Sequence, residues 1–438
     1  MKINRSFARC GRKFISVALC LVMMFTTFFI FEPSVLSELF PKASAADVVY
    51  SKVTNGNGTW TSGTDYTLSG STYTIKTGNG FAYFLKNPTT FNGKKVVLDC
   101  NVDFNGITYA YWDDSATAWY GELDGANHIV ANYKQSIDKK ERRNVGGFGV
   151  IRKMSGGIVK DLTIKNTYIK VLNRRDDTRT NVYGLGALIG KIEGESSAAY
   201  TDVQINNVTV DGATIIKFGR DGRRNDYGYG CGGIVGQTSK KTVFTNCKVI
   251  NTKISPNQDD NRRGNKEGGF VGESSGAEII IKNDTPMVSV ASTTVVYDKD
   301  LANKDSDHGG LIGWTSGKTT IENVIMEGTV CSGESGGGFI GYIENAEANI
   351  SDCIFNGKVA ASNYTGGFIG NSGYNTVFNI SNCKNYGSVT GDKYVGGIVG
   401  RATGNTVTIT NSTNEGDITA NNDYIGGIIG GIDGINSS

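Results

Sequence analysis

From residue 46 onward the chain is a succession of short apolar runs broken by polar residues and glycine, and no 11-residue window there repeats apolar positions at helical spacing. The stretch GDKYVGGIVG (391–400) is representative, with β-forming residues around a pair of adjacent glycines. Glycine inside a strand loses conformational entropy and packs nothing, so its recurrence needs a structural reason. Gly-(Gly/Ala)-x-x-Gly units begin at Gly186, Gly232, Gly268, Gly309, Gly337, Gly366, Gly396 and Gly426, with a degenerate copy at Gly146-Gly147-Phe148-Gly149. The last four intervals are 28, 29, 30 and 30 residues, and the earlier ones are 36 to 46. A period of this size marks a solenoid, a propeller or an array.

A second segment keeps the same phase. IENVIMEGTV (321–330), ISDCIFNGKV (350–359), ISNCKNYGSV (380–389) and ITNSTNEGDI (409–418) align without a gap, and 205–214 and 244–253 are looser copies. Each unit therefore offers three short β-runs: the glycine strand, the Ile-x-Asn strand and the Gly-x-Val/Ile strand. Three strands in about 29 residues suit one coil of a parallel β-helix, whereas a propeller blade needs four strands in about 40. Coils stacked about 4.8 Å apart place like on like. A column of glycines would then let neighbouring coils or an inward-facing strand approach closely. Asn166, Asn207, Asn246, Asn323, Asp352, Asn382 and Asn411 would form a ladder at a turn. The expected class is all-β.

Composition supports that class and narrows the function. The 438 residues include 60 glycines and five prolines with no Gly-X-Y period, which excludes collagen, and the 38% hydrophobic content excludes a flexible linker. At the start, Lys2, Arg5, Arg9, Arg12 and Lys13 precede an apolar run from Phe14 to Phe31 and a small-x-small site at Ala43-Ser44-Ala45. This reads as a signal peptide over 1–45, the alternative being an uncleaved anchor. Taking away its six Lys/Arg and two Glu leaves 38 basic and 40 acidic residues, a net charge of −2. A nucleic-acid partner is not expected, and a membrane would be met only through the signal or anchor segment.

The GGIVG-type unit with its trailing I-x-N-C-x-N-x-G-x-V resembles the GLUG repeat of bacterial surface proteins, over 146–438. Residues 72–104 and YGELDGANHIVANY (120–133) resemble the leader that precedes such repeats. The resemblance implies a right-handed parallel β-helix at the cell surface of a Gram-positive-type bacterium, or secreted from it. Residues 46–145 would form an N-terminal cap and the first coils, and 146–438 the repeat solenoid. GLUG repeats also precede the catalytic domain of IgA-cleaving metallopeptidases. No His-Glu-x-x-His occurs here and the sequence holds two histidines, so the peptidase activity is not carried over.

Function in solenoids sits in long inserts. KKERRN (139–144), NRRDDTRTN (173–181), GRDGRRND (219–226) and QDDNRRGNKE (258–267) each lie a few residues before a glycine unit, so they should stack along one edge. Arg143, Arg175, Arg224 and Arg263 would there offer guanidinium forks to carboxylate or sulfate groups of a polymer. The plainer reading is a row of solvated loops whose arginines pair with Asp176, Asp177, Asp259 and Asp260. Those aspartates are also the candidates for the competing class, a polysaccharide lyase or glycosidase, although adjacent strand residues face opposite ways and make no dyad. Tyr111, Trp112 and Trp119, with Tyr109 and Tyr120 nearby, form either an aromatic sugar platform or a cap over the N-terminal end of the core.

His128 reads as structural. His308, near Asp305 and Asp307, makes a poor metal set, so neither a metal nor a cofactor is expected. Cys100, Cys231, Cys247, Cys331, Cys353 and Cys383 match no zinc spacing. Cys247, Cys353 and Cys383 share a repeat position with Val208, Val324 and Ser412 and read as free buried thiols rather than a 353–383 disulfide. The sequence stops midway through a coil without an obvious cap. A longer parent chain, a partner or self-association is expected to cover that end. The leading expectation is a non-enzymatic stalk or adhesion module.

Overall fold

The structure is a computed structural model and describes residues 48–109, 118–138, 146–173, 184–194, 200–219, 230–255, 266–296, 306–403 and 406–433. Contacts divide the chain into Met1–Val49 and Tyr50–Ser438. The second unit is a stack of parallel β-coils.

One coil runs through Tyr364–Gly366, Ile369–Ser372, Val377–Ser381, Lys384–Asn385 and Ser388–Gly391. The next repeats it with Val395–Gly396, Val399–Thr403, Thr406–Thr410, Thr413–Asn414 and Ile418–Ala420. All five pairings are parallel, with Gly366 beside Gly396, Ile369 beside Val399, Ile380 beside Ile409, Asn385 beside Asn414 and Val389 beside Ile418. The strands preceding the glycine pairs form an eight-stranded sheet, and those equivalent to Ser388–Gly391 a ten-stranded sheet, each in sequence order. The rest belong to one large sheet. The repeat period is thus the length of one coil, and the expected stacking of like on like holds in its parallel form.

The glycine unit differs from its expected shape. It is not one strand but a corner, because the chain bends at Gly367 and Phe368 between two short strands. Each of its three glycines has its own reason. A Cβ on Gly366 would stand 2.1 Å from the Ile369 carbonyl oxygen, across the turn itself. On Gly367 it would stand 2.3 Å from the Gly397 oxygen of the next coil and 2.9 Å from the Asn385 side chain in the core. On Gly370 it would meet the Gly336 backbone at 2.7 Å. The strand before the corner therefore lies flat against the large sheet of a neighbouring coil, which is the close approach the glycine column implies. Phe368 and Ile369 are both fully buried, so neither reaches the outer face.

The asparagine turn is a ladder of left-handed residues. Asn207, Asn246, Asn323, Asp352, Asn382 and Asn411 have φ between +49° and +57°, a conformation asparagine tolerates better than branched or bulky residues. Asn207 Nδ2 donates to Asp161 Oδ1 at 2.8 Å, and Asn382 Nδ2 to Asp352 Oδ1 at 3.2 Å, so rungs bond between coils. Asp161, not Asn166, occupies this column, since Lys160 pairs with Asn206 and Leu162 with Val208. Asn166 turns the following corner instead, where its N–H reaches the Asp211 carbonyl at 2.8 Å. The unequal lengths of the early units hid that offset.

A second correction concerns helix. Gly78–Lys86 is an α-helix capped by Thr77, whose side chain accepts the Gly80 N–H, and it buries Phe81, Ala82 and Phe84. Nine residues with two glycines are too short to declare themselves by periodicity; the helix rests on its packing. It closes the N-terminal side of the core, with Phe81 against Phe104 and Phe84 against Trp119. Among the described residues no helix is long and apolar enough to cross a membrane.

Candidate functional site

From the coil that holds Tyr168–Asn173 onward, the chain passes from the ten-stranded to the eight-stranded sheet at the same place. It leaves Tyr168–Asn173, Thr214–Gly219, Lys253–Ser255 and Val295–Val296, and enters Leu185–Gly186, Gly230–Gly232, Lys266–Gly268 and Asp307–Gly309. The departing strands are in parallel register, as are the receiving ones. Segments 174–183, 220–229 and 256–265 therefore attach along one edge, as their common phase requires, and 139–145 precedes the same position in the first unit. In later coils this connection shrinks to residues 333–334, 362–363 and 392–394. Arg143, Arg175, Arg224, Arg263, Asp176, Asp177, Asp259 and Asp260 all lie outside the described residues.

Beside this edge runs an outward column of the large sheet. Lys153, Lys191, Gln237, Glu273, Trp314, Tyr342, Asn371 and Arg401 are in register from coil to coil. They meet the first residues of the glycine strands. Lys266 Nζ bonds Glu273 Oε1 at 2.8 Å and stands 3.7 Å from the centre of the Trp314 ring. Gln237 Nε2 donates to Glu273 Oε2 at 3.3 Å. The Arg401 guanidinium lies 5.0 Å from the Tyr364 ring centre and 5.5 Å from that of Tyr394, and its Nε bonds Asp433 Oδ2 at 2.8 Å. Tyr364, Tyr394 and Tyr424 follow one another in a row, with centroids 5.4 and 4.5 Å apart. Tyr394 and Tyr424 have φ of +48° and +68°, unusual for an aromatic residue. Tyr394 and Tyr424 are parallel, 1° apart, while Tyr364 is tilted by 44° to Tyr394. With Arg401 against two of its rings, the row fastens the edge as a cation–π seam.

Of the two readings of the aromatic cluster, the sugar platform fails at Trp119. That side chain is fully buried, packs edge-on against Phe84 at 5.4 Å and donates its indole N–H to the Phe91 carbonyl at 3.1 Å. A ring with no exposed face cannot stack on a sugar. It belongs to the capped end, and so does Tyr109, buried against Tyr133. Tyr111 and Trp112 lie outside the described residues.

The histidines serve packing. His128 Nδ1 is 3.3 Å from Asn101 Oδ1, and His308, fully buried, places Nδ1 2.6 Å from the Cys331 carbonyl. Among the described residues no group of three or more His, Cys, Asp or Glu side chains is placed to hold a metal. The six cysteines among the described residues are free. Burial pushes the Cys247 thiol up to about 12, and burial also raises Cys353, which keeps both as inert core thiols.

One charged cluster escaped the sequence reading. Glu122 and Asp124 share an outer face, with Lys95 and Lys160 on the coils either side. Lys95 Nζ reaches Glu122 at 2.9 Å and Asp124 at 3.3 Å, and Lys160 Nζ reaches them at 3.3 and 3.2 Å. Two carboxylates between two ammonium groups form an ion-pair lattice, with both charges engaged. Only register across coils 27 and 36 residues apart brings the four together, as the pairings Val97 with Asp124 and Asp124 with Lys160 record. Burial tends to raise Asp124, but the Ala126 N–H and the two lysines outweigh it and hold the carboxyl below its ordinary value. A carboxyl lowered on folding contributes stability that is complete above the unfolded pKa, near 4, and disappears as pH falls through the folded value. Urea midpoints of the wild type and Asp124→Asn should therefore differ at neutral pH and converge in acid; a constant gap would show that the charge is not the cause.

Comparison with known proteins agrees with this geometry at one place. The family model described as Glug, the GLUG motif, matches residues 391–419. No curated protein and no solved structure matches the chain. The matched residues begin at the end of Ser388–Gly391, turn through the glycine corner and finish within Ile418–Ala420, beside their starting point one coil on. The chain carries a GLUG motif, and that motif is one full turn of its parallel β-coil.

Proposed function

We propose that the protein is a non-enzymatic, right-handed β-solenoid exported to the cell surface or beyond, a stalk or adhesion module whose contact surface is the edge that carries the Arg/Asp inserts. The observation behind this reading is the fixed position of the connection between the ten- and eight-stranded sheets, which hangs every insert from one line along a rigid stack. The cation–π seam at the base of that line stiffens it, and rigid support is what a row of recognition loops needs. Arginine forks repeated along a line suit a polymer bearing carboxylate or sulfate groups at intervals. The charge-bearing lattice of Glu122, Asp124, Lys95 and Lys160 is satisfied internally, so it adds no argument for hydrolysis or elimination.

The test uses residues 46–438 and an Arg175/Arg224/Arg263→Ser variant on immobilised neutral and acidic glycans, with soluble products measured in parallel. Wild type should retain acidic glycans, and the variant should bind them at least about tenfold more weakly, since each charge-assisted bond is worth roughly 1.5–3 kcal/mol. Equal retention by both proteins removes the arginine edge from the reading. Release of glycan fragments replaces the module with an enzyme.

A further inference from the structure

The outer face of the ten-stranded sheet carries charge unlike the rest of the stack. Its register sets Lys134, Lys253 and Lys358 in one outward column, with Tyr168 and Thr214 between the first two and Val295 and Thr329 between the last two. A lysine therefore returns at every third coil, roughly 14 Å on at about 4.8 Å per coil. Lys170 stands in the neighbouring column, between Ser136 and Ile216. No carboxylate occurs among the described outward side chains of this sheet. Residues 46–438 hold 38 basic and 40 acidic residues, so composition alone does not produce such a face.

The large sheet handles its lysines differently. Lys95 and Lys160 hold Glu122 and Asp124, Lys241 pairs with Glu278 at 2.9 Å, and Lys318 pairs with Glu347 at 3.4 Å. Lys134, Lys253 and Lys358 form no ion pair among the described residues; Lys134 instead stands 5.7 Å from the centre of the Tyr168 ring. Their spacing exceeds the screening length of about 8 Å at physiological salt, so they coexist without carboxylates between them. The cations here are lysines, compact point charges suited to phosphate oxygens approached from any side, unlike the planar fork of arginine. Thr214, Thr329 and Ser388 in the same column, and Ser136 beside it, add hydroxyl donors of the kind that hold phosphate chains.

We propose that this face binds a linear phosphodiester polymer lying along the stack, held by Lys134, Lys253 and Lys358 with the hydroxyls between them. Charge complementarity carries the choice of partner, because a carboxylate-free line of ammonium groups attracts a chain that bears an anion on every repeat. The surface is separate from the arginine inserts and does not depend on them.

The probe is immobilised poly(glycerol phosphate), with poly-L-glutamate and phosphatidylglycerol vesicles in parallel. Residues 46–438 should be retained by the phosphodiester polymer more strongly than by poly-L-glutamate. Counterion release should make that affinity fall at least about tenfold between about 50 and 200 mM salt. Lys134/Lys253/Lys358→Gln should weaken it by about tenfold or more. Lys241/Lys282/Lys318→Gln removes the same charge from on or beside the large sheet and should leave it unchanged. Circular dichroism confirms that each variant is folded. In the Arg175/Arg224/Arg263→Ser background retention should persist and still be lost on adding the Lys134/Lys253/Lys358→Gln changes, which separates this surface from the arginine edge. Equal loss in the two lysine variants overturns the proposal, since net charge and not the face would then be the cause. So does equal retention of poly-L-glutamate, binding to the vesicles alone, or no retention of the phosphodiester polymer.

Discussion

Gly338→Ala should cost more than about 3 kcal/mol, while Gly427→Ala, at the same place in the motif, should change stability by under about 1 kcal/mol. Both glycines are the second of their pair, and neither has φ in the left-handed region. What differs is the covering coil. A Cβ on Gly338 would stand 2.0 Å from the Gly367 carbonyl oxygen and 2.6 Å from the Phe355 ring, a clash with backbone that no rotamer relieves. On Gly427 it would meet nothing within 4 Å. Gly427→Ala also restricts the unfolded chain, which favours the folded state slightly. Urea unfolding with its m-value tests the pair, and Gly338→Ala should lower the cooperativity as well as the midpoint, because each coil is held only by its neighbours. Equal, small effects at both sites would mean that glycine recurs for some reason other than close approach between coils.

The period made the parallel coil legible, because a parallel stack repeats its side chains with the coil and no other arrangement of three short strands needs to. The glycine column followed from the same logic. What the sequence concealed is set by relations between coils of unequal length. Asp161 takes the rung assigned to Asn166 because the first full unit and the next are offset. Lys266 meets Trp314 across 48 positions, and Arg401 meets Tyr364 across 37, by a geometry that the repeat alone does not contain. The corner at Gly367 reads as a strand because a strand and a tight bend between two strands use the same β-forming residues. The candidate contact surface is legible to a different degree. The line from which the inserts hang was readable from their common phase; their arginines lie outside the described residues and rest on the binding test.

Trp119 decides between the two readings of the aromatic cluster, and its expected effect is on folding. Trp119→Ala should cost about 3–5 kcal/mol, the range for emptying a fully buried aromatic site. The cavity would open between Phe84 and the Phe91 backbone, at the junction of the capping helix and the first coils. Trp119→Phe separates volume from hydrogen bonding. It keeps a ring against Phe84 but leaves the Phe91 carbonyl without its indole donor, which adds roughly 1–3 kcal/mol for an unpaired buried acceptor to the loss of ring volume. The order of stability should be wild type, Phe, then Ala, with glycan retention per folded molecule unchanged in all three. A sugar platform would produce the opposite result, with retention lost and stability kept. Because the capping helix is too short to stand alone and depends on Phe81 and Phe84 packing inward, its amides should also lose protection from hydrogen exchange in Trp119→Ala before those of the distant coils do. Loss of protection spreading evenly through the stack would instead make the cap and the repeats a single cooperative unit.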